Sequence, residues 1–77
     1  MLEFEEFQKI VAEVLGVSPK SVSRRSTFLD DLGADSLQMF EIMTRACELF
    51  QTEADEGEFL TASTVDEAFR CLTESKL

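Results

Sequence analysis

Asp31-Leu32-Gly33-Ala34-Asp35-Ser36-Leu37-Gln38-Met39-Phe40-Glu41-Ile42-Met43 carries the chain out of a loop and into a helix, and the reading of that passage decides the fold. Gly33 permits a tight bend. Asp35 offers a side-chain oxygen to the bare amides of a first helical turn, and Gln38 stands three residues on as the reciprocal partner. Leu37, Phe40, Ile42, Met43, Ala46, Cys47, Leu49 and Phe50 then form an apolar stripe broader than a surface helix needs, so this segment is the expected central packing element. Part of its apolar surface, with Leu37 and Met39 as the candidates, is expected to stay exposed for a partner.

Toward the amino terminus, Phe4, Phe7, Ile10, Val11, Val14 and Leu15 recur at intervals of three and four. That spacing predicts an amphipathic helix from Glu3 to Leu15, which Gly16 ends as a C-cap. Ser18-Pro19 predicts a short capped turn, with Val17 and Val22 as its anchors. The remaining connection to Gly33 is long for so small a chain, is held to the core by Phe28, Leu29 and Leu32, and implies a functional reason for its length. Lys20, Arg24 and Arg25 within it read as solvated surface.

Toward the carboxyl terminus, Gln51 to Ser63 is polar and acidic and predicts one short helical turn pinned by Phe59 and Leu60. Gly57 inside that turn costs about 1 kcal/mol relative to alanine, so the turn is expected to be short, frayed or displaced. Thr64-Val65-Asp66-Glu67 opens a last helix with a capping box between Thr64 and Glu67, and Val65, Ala68, Phe69 and Leu72 form its inward face. No run alternates with period two. The expectation is one all-α domain over residues 1–77, a small four-helix bundle of three main helices and one short one.

The 77 residues include 16 acids, 7 bases and no histidine, for a net charge of −9. From Asp30 to Glu58 there are nine carboxylates, with Arg45 as the one base. Such a surface repels nucleic acid and anionic membrane and attracts a basic patch on a protein partner. A monomer with no stable membrane association is expected. Cys47 and Cys71 fall within apolar helical patterns and read as reduced thiols in or near the core; without histidine they form no zinc set. A calcium loop beginning at Asp30 fails because Leu32 and Ala34 stand where oxygen ligands are required. The stretch Met1-Leu2-Glu3-Phe4-Glu5-Glu6-Phe7 has neither a basic leader nor an unbroken apolar run, which makes the cytoplasm the default location.

Ser36 lacks the means to act as a nucleophile: the chain has no histidine, and the lysine nearest in sequence is Lys20. An enzymatic serine needs a base in reach and a site for developing negative charge, so no catalytic residue and no enzyme is expected. The first turn of a helix does favour an attached anion such as a phosphodiester. On these residues alone, Ser36 as an attachment point and Ser36 as a solvent-facing bystander beside an ordinary cap both remain open.

The stretch Asp31 to Leu37 resembles the 4′-phosphopantetheine attachment motif of acyl carrier proteins, with Ser36 matching the modified serine and Gly33, Asp35 and Leu37 its frame. Glu41 in the following helix and the late Thr64-Val65 extend the resemblance over nearly the whole chain. It implies the acyl-carrier bundle with no activity of its own. It also implies a 4′-phosphopantetheine arm, moved from coenzyme A to Ser36 by a separate phosphopantetheinyl transferase whose reaction uses Mg²⁺. The arm's thiol would hold acyl groups as thioesters and present them to acyl-loading, synthase and tailoring or transfer enzymes with basic docking patches.

By the same resemblance the second helix is the recognition surface. Asp35, Glu41 and Glu48 match its acidic face, Glu53, Asp55 and Glu56 extend it, and Leu37 and Met39 add apolar contact. Phe40, Ala46, Phe59, Leu60 and Ala62 fall where a bound acyl chain would enter a groove between the second and third helical segments, and also where core packing would use them. The chain departs from the family pattern at Ala54, at the missing proline after it, at Gly57, at Ala62 and at Phe40. Phe40 and Phe59 are expected to fill volume vacated by Ala46, Ala54 and Ala62, which reshapes any acyl cavity. Those departures tell against ordinary long-chain fatty acid carriage, and Arg45 interrupting the acidic face together with the basic Lys20, Arg24 and Arg25 points to dedicated partners, such as those of a specialised polyketide, peptide or other secondary-metabolite pathway. A peptidyl or aminoacyl carrier and an unmodified helical interaction module are the alternatives.

Overall fold

Cap hydrogen bonds mark most of the helix ends in the computed structural model, which describes residues 3–74. Helix α1 spans Phe4–Leu15 and stops at Gly16, whose φ of 72° lets its amide turn back to Ala12 O at 2.8 Å. A single 3₁₀ turn, Pro19–Ser21, follows, with the Ser18 hydroxyl accepting from Lys20 N. Helix α2 runs Ser36–Phe50, α3 Glu56–Leu60 and α4 Val65–Glu74. The described residues thus form an all-α bundle of three main helices and one short one, and their one strand-like feature is an isolated bridge between Thr27 and Thr64.

Helix α2 ends without glycine: Gln51 takes the left-handed conformation at φ 54° and donates to Cys47 O. In α3, Asp55 accepts from Glu58 N at 3.0 Å, and this cap sustains five residues of helix despite Gly57. At α4, Thr64 Oγ1 accepts from Glu67 N at 3.2 Å, while the Glu67 carboxylate accepts from Ser63 N, one residue before the expected partner.

Phe7, Phe59, Ile42, Leu72, Val11, Val22 and Val65 are the largest fully buried side chains, contributed by all four helices and the first connection. Phe7 is the hinge of the aromatic packing: its ring stands edge-on to Phe59 at 6.2 Å and tilted to Phe69 at 5.6 Å, and Phe4 meets Phe69 edge-on at 5.4 Å. On α2 the inward positions are Met39, Ile42, Met43 and Ala46.

The long first connection is bound to the start of α4. Val65 N donates to Ser26 O at 2.9 Å and Asp66 N to Arg24 O at 3.0 Å, so loop carbonyls satisfy amides that a helix start leaves bare. Phe28 N donates to Ser63 O at 3.0 Å. Ser26, 8% exposed, ties the loop internally through Ser23 N and Ser21 O. Gln8 of α1 donates to Pro19 O and Val22 O from the other side.

Arg24 is exposed, as expected of a surface residue, and its guanidinium also pairs with Asp66 and lies 4.4 Å from the Phe4 ring centroid and 5.3 Å from that of Phe69. One expectation for this loop requires correction. Leu29 is no core anchor, being 75% exposed. The backbone bonds of Phe28 fix the loop so that Phe28 and Leu32 turn toward the core and Leu29 faces out.

Arg24→Ala is expected to lower stability by about 1–2 kcal/mol, combining a cation–π contact with a partly exposed ion pair. Urea denaturation followed by circular dichroism measures the loss, and Arg24→Lys recovers only the smaller, charge-pairing part.

Candidate functional site

The site begins with the closure of the loop that precedes α2. Thr27 N donates to the Asp31 carboxylate at 2.8 Å, and Asp31 N returns a bond to Thr27 Oγ1 at 3.0 Å. Ala34 N then reaches Phe28 O at 2.8 Å, and Ala34 itself is buried. Between these ties Gly33 adopts φ 68°, a conformation that a side chain disfavours. The chain is thereby aimed so that Asp35 arrives at the cap position.

Asp35 Oδ1 accepts from Gln38 N at 2.8 Å, and Gln38 Oε1 accepts from Asp35 N at 3.1 Å, completing the capping box. Ser36 is the first residue of α2 and is exposed. Met39 N is taken by Asp35 O, so the amides of Ser36 and Leu37 are left without a partner among the described residues. The Ser36 hydroxyl likewise makes no hydrogen bond there. An exposed hydroxyl beside two outward amides, at the positive end of a 15-residue helix, is a favourable seat for a covalently attached phosphate.

A cavity of about 550 Å³ opens at Ser36, between residues 27–30 of the loop and residues 60–63 after α3. Ala34, Met39, Leu60 and Ala62 give it an apolar side, and Thr27, Thr61 and Ser63 a polar one. No group of three or more histidine, cysteine, aspartate or glutamate residues suited to a metal ion occurs among the described residues. No described helix is long and apolar enough to cross a membrane.

The residues named from sequence separate sharply. Leu37 is 80% exposed beside Ser36, but Met39, expected to share that exposure, is 4% exposed and packs inward. Phe40, expected to fill the core and the acyl groove, is 46% exposed and does not border the cavity. One cause underlies both corrections. Helical phase turns Met39, Ile42, Met43 and Ala46 inward at intervals of three and four, and Leu37 and Phe40 fall on the other side. Of the remaining groove candidates, Leu60 and Ala62 border the cavity, whereas Ala46 and Phe59 are completely buried in the core.

The acids also differ in what they touch. Asp35 and Asp55 are helix caps, with one oxygen engaged. Glu41 is paired with Arg45 at 2.8 Å, and Arg45 reaches Glu13 of α1 at 3.4 Å. Glu48 and Glu56 are exposed, while Glu53 lies near enough to Cys47 to disfavour its thiolate. Cys47 and Cys71 are half-buried thiols that form no disulfide with each other. Burial pushes the Cys47 thiol up; a hydrogen bond from the Ala54 backbone opposes this and the Glu53 charge adds to it. The loop-closing Thr27–Asp31 pair and the cavity beside Ser36 were missed in the sequence, although Thr27 and Asp31 at a four-residue spacing around Phe28 were a signal for the former.

The comparison with protein families bears on this arrangement directly: the family model described as "phosphopantetheine attachment site" matches residues 5–72. The match takes in α1, the whole first connection, α2, α3 and most of α4.

Two outcomes are expected from this geometry. Gly33→Ala should cost about 1–2 kcal/mol through backbone strain alone, since an added Cβ meets nothing within 4 Å, and Asp35→Ala about 1 kcal/mol through the lost cap; chemical denaturation of the two variants measures both. Cys47 should react with iodoacetamide more slowly than free cysteine, with a rate–pH midpoint displaced upward, as followed by peptide mass spectrometry.

Proposed function

This chain belongs to the phosphopantetheine attachment-site family, and we propose that Ser36 is the residue to which its arm is joined. The domain is a non-catalytic carrier of the acyl-carrier type, and its cofactor is covalent 4′-phosphopantetheine. When bound, that arm supplies the thiol on which acyl groups are carried. The observation that supports Ser36 is its exposed, unbonded hydroxyl on the first residue of α2, next to the unpartnered amides of Ser36 and Leu37.

The residues around it have separable tasks in this reading. Gly33 and the Thr27–Asp31 closure aim the chain, and the Asp35–Gln38 box fixes the helix start so that the hydroxyl faces solvent. The amides of Ser36 and Leu37 and the helix dipole would hold the negative charge of the phosphodiester. Ser36 itself then serves as substrate once, for a phosphopantetheinyl transferase, and afterwards as a fixed anchor.

Carrier domains of this type work with that transferase and with synthase enzymes. For this chain, docking on a basic partner surface through Asp35, Glu48, Asp55 and Glu56 is supported by their exposure and by the net charge of −9. Each exposed pair contributes on the order of 0 to 1 kcal/mol, so the acidic field acts mainly on encounter rate, and Leu37 offers the apolar contact beside the anchor. Arg45 offsets the charge of Glu41 and makes the middle of α2 less acidic than its sequence suggests. Glu53 belongs to the same acidic segment. A specialised polyketide or other secondary-metabolite pathway fits the chain better than fatty acid biosynthesis, because Phe59 fills core space that a long acyl chain would need.

Incubation with coenzyme A, Mg²⁺ and a broad-specificity phosphopantetheinyl transferase is expected to add one arm to the wild-type mass and none to Ser36→Ala. Unchanged wild-type mass under conditions that modify a control carrier, or an arm on Ser36→Ala, contradicts the assignment.

A further inference from the structure

We infer that Arg45 is a partner-selecting residue. Held between Glu41 and Glu13, it cancels the charge at the middle of α2 and leaves the docking face with two separate acidic ends. Such a face fits an enzyme whose bases meet those ends and disfavours one with an unbroken basic strip along the helix. The inference rests on the docking reading above and narrows the kind of partner.

Geometry puts Arg45 where a partner has to lie. Glu41, Arg45 and Glu48 are all exposed, and their spacing of four and three aligns them along one side of α2. The guanidinium gives one nitrogen to Glu41 Oε2 at 2.8 Å and another to Glu13 Oε1 of α1 at 3.4 Å, so its fork is held from two helices. The Arg45 side chain is 46% exposed, and those of Glu41 and Glu13 are more so. Pairs this open to water add little to stability. Their larger consequence is the field outside the protein.

Opposite charges 2.8 Å apart act beyond the surface as a dipole, whose pull on a passing base fades faster with distance than that of a lone carboxylate. The ends of the face keep their charge. Asp30 and Asp35 at one end, and Glu48, Asp55 and Glu56 at the other, are exposed and form no ion pair among the described residues. At the helical rise, Asp35 and Glu48 stand roughly 20 Å apart, about two screening lengths in moderate salt, so the two ends attract a partner's bases independently. A base brought over the middle meets the Arg45 guanidinium instead. That repulsion counts against a continuous strip and leaves a partner with bases only at the ends untouched.

The test measures kcat and KM for arm transfer from coenzyme A to Ser36 of the full chain by the broad-specificity transferase, at low and high salt. Wild type is compared with Arg45→Gln, Glu41→Gln, their double variant and Glu48→Gln, and melting midpoints check that each is folded. At low salt Arg45→Gln is expected to raise kcat/KM about twofold through KM, and Glu41→Gln and Glu48→Gln each to lower it about twofold, the size one unit charge exerts through screened water. In all three kcat stays unchanged and the difference fades at high salt. The double variant should match wild type, because the pair it removes has no net charge. A double variant as slow as Glu48→Gln shows that Glu41 docks in spite of Arg45 and overturns the inference. Wild-type kcat/KM in Arg45→Gln, or a gain that persists at high salt, overturns it too; should that variant fail to fold, the double variant and Glu48→Gln decide alone. Glu48→Gln without effect overturns the docking reading itself, and absence of the arm from wild type the attachment reading, each taking this inference with it.

Discussion

The reciprocal hydrogen bonds between Asp35 and Gln38 are the constraint on which the site depends, because they determine at which residue α2 begins. With the start fixed there, Ser36 occupies the first helical position and Met39, Ile42, Met43 and Ala46 point into the core. Sliding the chain by one residue through a helix held in place by its packing would turn every side chain by about 100° and carry inward residues off the core-facing side. The same two bonds thus connect the packing of α2 with the exposure of one hydroxyl.

That cap is itself held by the first connection. Loop carbonyls of Arg24 and Ser26 take the first amides of α4, Arg24 joins Asp66 to the rings of Phe4 and Phe69, and the Thr27–Asp31 pair closes the turn that delivers Gly33 and Asp35. A long loop with so little helix of its own is ordered because its backbone groups complete another helix's terminus. This accounts for its length in physical terms: it must travel from the end of α1 past the start of α4 before it enters α2.

Much of this was legible in the residues. The three-and-four spacing from Phe4 to Leu15, the Asp35–Gln38 and Thr64–Glu67 caps and the Gly16 stop are local signals, and local physics satisfies them. The phase of α2 was not legible, since apolar residues at Leu37, Phe40, Ile42, Met43, Ala46, Cys47, Leu49 and Phe50 suit more than one inward face, and only packing against α1 and α3 chooses among them. Met39 and Phe40 exchanged roles for that reason. The left-handed Gln51, the docking of Arg24 and the exposure of Leu29 are likewise consequences of contacts distant in sequence. At the site, the serine and its frame were visible, but the division of acids into caps at Asp35 and Asp55, a pair at Glu41 and exposed charges at Glu48 and Glu56 required coordinates.

The central claim is that the start of α2 presents Ser36 and two bare amides to a phosphodiester. Combined ³¹P and amide ¹⁵N NMR of the arm-bearing protein tests this most directly. The account predicts one phosphodiester resonance coupled to the Ser36 β-protons, with large displacement of the Ser36 and Leu37 amide signals and none at Val11 in the core. A phosphorus signal coupled to another residue, or Ser36 and Leu37 amides unmoved by modification, would contradict it.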